Sequence, residues 1–109
     1  MLPLILAAAA TASFYSPSRN ISCEMTRSQV YCQSMAHAHS ATLTPNGHTK
    51  ICHGRRCLGN PGEHTPVLAY GKGIRVGRFR CRSEENGITC NVIATGDGFL
   101  IDRTTVLVL

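Results

Sequence analysis

The sequence predicts an all-β domain, a small disulfide-stapled barrel or sandwich of short antiparallel strands with a loop-rich middle. Three observations carry this expectation. Cys23 and Cys32 are nine positions apart, and so are Cys81 and Cys90. Each of the four has an apolar residue two places before it: Ile21, Val30, Phe79 and Ile88. Two residues is the repeat of a β-strand, so each cysteine shares a face with its apolar partner. Glycine, proline and asparagine recur throughout, and from Ser13 onward no stretch keeps a helical period.

The elements follow in chain order. Residues 1–12 are apolar and close on Ala10-Thr11-Ala12, a small-x-small pattern. They read as a secretion signal, which leaves residues 13–109 as a single secreted β domain. The alternative is an apolar tail of the folded domain itself. A membrane span is not expected, because crossing takes roughly 20 apolar residues. Ser16-Pro17-Ser18-Arg19-Asn20 then forms a turn into the first hairpin. Ile21, Cys23 and Met25 point one way, and Val30 and Cys32 return on the same face. Pairing Cys23 with Cys32 sets Met25 opposite Val30 and leaves residues 26–29 as the loop.

The segment 34–66 is the least regular. Pro45-Asn46-Gly47, Gly59-Asn60-Pro61-Gly62 and Thr65-Pro66 mark long loops, with short strands expected only around Ala41–Thr44 and Thr49–Cys52. Cys52 and Cys57 lack the apolar partner two places before, so they close a small surface loop. In the second hairpin Phe79 and Cys81 face inward and Arg78, Arg80 and Arg82 outward. Pairing Cys81 with Cys90 sets Ser83 opposite Ile88 and Phe79 opposite Val92. Glu84-Glu85-Asn86-Gly87 is then the loop, and Gly87 is free to take a positive φ. After a turn at Thr95-Gly96-Asp97-Gly98, Phe99–Ile101 is a short strand and Asp102-Arg103 a turn. Residues 104–109 form a closing strand. Val106-Leu107-Val108-Leu109 does not alternate, which reads as a strand buried on both faces or a docked terminus.

Six cysteines allow fifteen pairings; the wholly local set, 23–32, 52–57 and 81–90, fits the strand registers. An even count in a small chain without tryptophan points to an oxidising, extracellular or envelope setting. Each nine-residue staple contributes roughly 2.5–3 kcal/mol on chain-entropy grounds. Lysine and arginine number 11 against 6 acidic residues, a net charge of +5. That balance favours anionic partners, an envelope polymer among them, without naming one.

Few residues invite chemistry. Cys52, His53 and Cys57, with His48 nearby, have spacing a metal would accept, but an oxidising compartment favours the disulfide, so no metal and no cofactor is expected. His37-Ala38-His39 reads as strand or loop alternation. Arg78, Arg80 and Arg82 form a row with Arg75 just upstream, and Arg55-Arg56 adds a pair inside the small cysteine loop. Such a row can grip phosphates or carboxylates bidentately, or it can be an ordinary solvated face. No aromatics interleave it, so stacking on single-stranded nucleic acid is not indicated. Asp97, Asp102, Glu84 and Glu85 sit in turn sequences, no serine lies in a nucleophile elbow, and no thiol is spare. The chain therefore does not read as an enzyme. Asn20-Ile21-Ser22 is a glycosylation sequon, with a turn asparagine as the plainer role.

Phe14, Pro17, Ser18, Asn20, Ile21 and Cys23, followed by Val30 and Cys32, form an ordered pattern. So do Tyr70-Gly71, Gly77, Phe79, Cys81, Ser83, Gly87, Thr89, Cys90, Thr95-Gly96, Gly98-Phe99 and Arg103. Together they resemble a family of small secreted actinobacterial proteins built on a domain of unknown function. Arg19 stands where that family has glycine, and Asp97 where it often has histidine. The resemblance implies export and a small disulfide-bonded β-fold, and it supplies no activity. The expectation is a non-catalytic secreted module that binds an anionic envelope polymer or another protein. An anion-binding module using the arginine row, and a hydrolase or hydrolase inhibitor, are the alternatives.

Overall fold

Two five-stranded antiparallel meanders lie face to face. A computed structural model describes residues 10–109. The first sheet runs in chain order through β1 (Thr11–Tyr15), β2 (Ile21–Thr26), β3 (Val30–Ser34), β4 (His39–Leu43) and β5 (Thr49–His53). The second does the same with β6 (Gly73–Val76), β7 (Phe79–Glu84), β8 (Gly87–Val92), β9 (Gly98–Ile101) and β10 (Val106–Val108). β1 packs against β6, and β3 and β4 against β9. This is a sandwich and not a closed barrel, because each sheet keeps its first and last strands as edges.

Both hairpin registers are those the cysteine spacing demands. Cys23 faces Cys32 and Met25 faces Val30; Cys81 faces Cys90, Ser83 faces Ile88 and Phe79 faces Val92. The second hairpin is tighter than expected, since Glu84 already pairs with Gly87 and only Glu85 and Asn86 remain in the turn. Gly87 takes φ 136°, and a Cβ there would stand 2.2 Å from the Ile101 carbonyl oxygen. All three local disulfides form, and no described cysteine is free.

The repeat reaches well beyond the cysteines. Cys90 lies 58 positions after Cys32, and the same offset carries β2–β4 onto β7–β9. Ile21 corresponds to Phe79, Val30 to Ile88, Ala41 to Phe99 and Leu43 to Ile101, each at the same place in its ladder. These residues and both disulfides are buried and make one core with Phe14, Met25, Val76 and Val92. At its centre the two staples touch, with Cys32 Sγ 3.7 Å from Cys90 Sγ.

Four expectations need correction. The middle is more regular than expected: β4 and β5 are full five-residue strands, each shifted or extended by a residue or two. The glycines and prolines of that region lie between and after them. β6 had no counterpart in the sequence reading. Most of the expected leader, residues 1–9, lies outside the described residues, but Thr11 and Ala12 pair with Thr26 and Met25 in β1. Finally, the closing strand is docked on β9 through to Leu109 but is not buried on both faces. β10 is an edge, and Leu107, Val108 and Leu109 are all exposed; a one-sided neighbour leaves nothing to cover a non-alternating run.

Candidate functional site

The inner faces of the two sheets are nearly interchangeable, so what distinguishes them lies outside. The outer face of the first sheet is closed by the chain itself. After β5 a short 3₁₀ turn (Arg55–Cys57) carries Cys57 back to Cys52. The following segment crosses the sheet as a strap. Gln33, fully buried in β3, holds its middle: its Oε1 accepts the Gly59 N–H at 2.7 Å, and its Nε2 donates to the Gly59 carbonyl at 2.9 Å and to Ser22 Oγ at 3.0 Å. Tyr31 donates its hydroxyl to Gln33 Oε1 at 2.8 Å, with the Cys57 carbonyl also in reach. Burial pushes the Tyr31 phenol above its usual range. At the far side the strap joins β1. Tyr15 N–H donates to the Pro66 carbonyl at 2.8 Å, and Leu68 N–H donates to the Tyr15 carbonyl at 2.9 Å. The cavity left beneath, lined by Ser13, Glu24 and Thr65 among others, is about 50 Å³. It has room for a water or two and no organic ligand.

The outer face of the second sheet is bare and cationic. Arg75 on β6 stands directly opposite Arg80 on β7, and Arg82 is two places further along the same face. All three are exposed. Gly73 faces Arg82 across the ladder, so the face is open beside that guanidinium. These residues, with Gly71 and Ile74, line an open groove of about 300 Å³. Arg82 meets Glu84 at 3.6 Å, both half-exposed, and Arg75 Nε donates to the Gly77 carbonyl at 3.3 Å. Among the described residues Arg75 and Arg80 have no carboxylate partner within ion-pair range. Like charges placed directly opposite on a ladder oppose folding.

The structure thus redraws the expected arginine row. Arg78 is not on the strand: it is the second residue of the two-residue turn Gly77-Arg78, where Gly77 at φ 56° supplies the reversal. Its place is taken by Arg75, brought across by β6. The signal for this was available, since Ile74 and Val76 alternate with Gly73 and Arg75 just before a Gly-led turn. Arg55 and Arg56 lie on the 3₁₀ turn of the other sheet, apart from this groove.

Other polar residues near the core are engaged by backbone groups. His39 is buried at the end of β4, and its ring nitrogens face the backbone carbonyls of His37 and, at 3.2 Å, of Asp102. The Asp102 carboxylate accepts the N–H groups of Thr104 and Thr105, both at 2.8 Å. The Thr104 N–H leads in holding its pKa below the usual carboxylate value. His39 therefore meets Asp102 through the main chain, which is not the geometry of a histidine–carboxylate catalytic pair. The Sγ atoms of Cys23, Cys32 and Cys90 lie within 4.8 Å of one another, but each is spent in a disulfide and offers no thiolate to a metal. Cys52 and Cys57 are likewise bonded to each other.

No protein-family model matches the chain, and no curated protein or solved structure is significantly similar to it.

Proposed function

We propose that the protein is a non-catalytic, exported binding module that engages an anionic polymer through Arg75, Arg80 and Arg82 on the outer face of its second sheet. The observation that carries this reading is the Arg75–Arg80 pair. Two guanidinium groups share one rung of an open ladder without a carboxylate partner among the described residues. That arrangement costs stability unless an anion sits between them. Guanidinium pairs take phosphate, sulfate or carboxylate groups bidentately, and a groove open to solvent suits a repeating chain better than an enclosed small molecule. Three disulfides in one small domain favour an oxidising compartment. The motif resemblance to exported proteins points the same way.

Retention on a heparin column, a polyanion of sulfates and carboxylates, tests the reading. Replacing Arg75, Arg80 and Arg82 together by alanine is expected to move elution to clearly lower salt. The charge-matched control, Arg55, Arg56 and Arg78 replaced by alanine, is expected to shift it much less. Equal shifts in the two variants would reduce the interaction to net charge and end the proposal.

A further inference from the structure

The sandwich has four edge strands, and among the described residues β10 alone is left unguarded. β1 is joined along its outer side by the strap, with Tyr15 bridged to Val67. β5 carries the exposed Lys50, and β6 carries Arg75. Charged side chains and covering loops are the usual means of keeping an edge from pairing with another chain. From Thr104 to Leu109 there is no charged side chain and no proline, and Leu107, Val108 and Leu109 are 57%, 53% and 52% exposed. The main chain is oriented to match. Asp102 N–H donates to the Thr105 carbonyl at 3.0 Å, and Leu109 N–H donates to the Gly98 carbonyl at 2.9 Å. Thr105, Leu107 and Leu109 therefore turn their backbone groups toward β9. By the alternation of an antiparallel ladder, Val106 and Val108 turn theirs outward, where β10 has no neighbouring strand among the described residues.

We propose that β10 pairs antiparallel with β10 of a second copy of this chain, which joins the second sheets of two molecules edge to edge. The edge is complementary to itself. With Leu107 on the two-fold axis, Val106 of each copy faces Val108 of the other, and these are the residues whose N–H and C=O groups point outward. Each such rung exchanges a pair of hydrogen bonds. At the rung between them Leu107 meets Leu107 of the second copy, where ladder geometry brings side chains closest. Leu107 stands opposite Leu100, whose neighbours Phe99 and Ile101 are buried inward, so this contact forms on the outer face. The pairing is isologous and consumes the free edge of both copies, so association stops at two. The groove arginines do not oppose it. β7 is three strands from β10, which sets the two clusters roughly 30 Å apart at the usual strand spacing, several times the screening length of about 8 Å. A contact this short buries less than the roughly 1,200 Å² of a stable interface, so the dimer is weak and reversible. One consequence rests on the anion-binding reading: both arginine clusters lie on the same side of the joined sheet, and a polyanion that reaches both is held bivalently.

Sedimentation equilibrium of the full chain, with no polyanion present, tests the pairing separately from anion binding. The mass is expected to climb from monomer toward dimer between about 10 µM and about 1 mM, with no larger species. Leu107→Lys and Leu107→Glu each set like charges against one another on the axis, and each variant alone is expected to stay monomeric. An equimolar mixture of the two should dimerise again, because the axis then pairs opposite charges. Val108→Pro removes an outward N–H while leaving the bonds of Leu107 and Leu109 to β9, and it too should be monomeric. A wild-type chain that stays monomeric throughout overturns the proposal, whether another segment covers the edge or none does. A dimer that survives Leu107→Lys, or growth beyond two copies, overturns it equally. If Val108→Pro does not fold, the exposed position 107 still decides: a lysine–glutamate mixture that remains monomeric refutes the two-fold pairing.

Discussion

The two halves of this molecule share one design on the inside and diverge on the outside. From Ile21 to Leu43 and again from Phe79 to Ile101 the ladders correspond rung for rung, with a disulfide at the same place in each. The core has to be matched because both sheets bury the same central layer. The outer faces are under no such constraint. The first is covered by a strap anchored at Cys57, Gly59 and Pro66. The second keeps three arginines bare. Among the described residues the chain thus covers part of one outer face and leaves the cationic one open.

The comparison is most easily broken where the repeat demands different residues at equivalent positions. Gly98 corresponds to Ser40: one pairs with Asn91, the other with Gln33. Yet a Cβ on Gly98 would stand 1.9 Å from the Cys90 carbonyl oxygen and 2.7 Å from Asn91 Cα, whereas Ser40 carries its Cβ in the same rung. The second sheet is therefore pinched at the start of β9, where the chain leaves the Thr95–Asp97 turn. Gly98→Ala is expected to cost about 3 kcal/mol as an overpacked core contact. Ser40→Ala should cost about 1 kcal/mol or less. Urea titration of the two variants measures both, and similar losses would mean that the two ladders are more alike than their backbones indicate.

The next largest effect concerns the strap. Gln33→Ala removes the partners of both the Gly59 N–H and its carbonyl. Leaving such groups unpaired costs about 2 kcal/mol. The equivalent position, Asn91, lies on the uncovered sheet, and its amide reaches only the neighbouring Val92 carbonyl at 3.3 Å. Asn91→Ala is accordingly expected to stay within about 0.5 kcal/mol of the parent. Hydrogen exchange at Gly59 separates loosening of the strap from general destabilisation, and it should accelerate in Gln33→Ala before the core amides do.

How much of this was legible in the sequence depends on the range of the interaction. Cys23/Cys32 and Cys81/Cys90 specify local hairpins, and there the register followed from a period of two and the reach of a disulfide. The core residues Ile21, Val30, Phe79, Ile88 and Val92 were legible for the same reason. The strap was not. Gln33 and Gly59 carry no apolar signal, and their contact spans 26 residues across a proline- and glycine-rich segment that reads as loop. β1 was missed because its first residues, Thr11 and Ala12, also fit a leader's small-residue pattern. The arginine face was half legible: Arg80 and Arg82 follow from alternation, but Arg75 joins them only through β6, a short strand with two apolar residues. Arg19 shows the converse. A non-glycine residue takes the left-handed conformation in the Pro17–Asn20 turn, at φ 62°. Ser16 holds that turn through hydrogen bonds to the Ile21 and Arg19 backbone, and the Arg19 guanidinium settles over the Tyr15 ring at 5.6 Å.

The smallest effect sharpens the comparison from inside the core. Ser83 occupies the place that Met25 holds in the first sheet: one faces Ile88, the other Val30. Ser83 is fully buried, and its Oγ has no hydrogen-bond partner among the described residues. Its backbone is well held, with the N–H donating to the Lys72 carbonyl at 2.9 Å and its carbonyl accepting from Gly71 at 2.7 Å, so the penalty falls on the hydroxyl alone. A buried hydroxyl without a partner costs about 1–3 kcal/mol by mutational measures, and deleting one oxygen leaves little void. Ser83→Ala is therefore expected to stabilise the fold by up to about 1 kcal/mol, read as a higher urea midpoint at unchanged slope. Met25→Ala, at the equivalent rung, should lose several times that amount through its cavity. A loss of stability in Ser83→Ala would show that the hydroxyl is satisfied in solution, and that the second sheet, like the first, is matched to its core position at this rung.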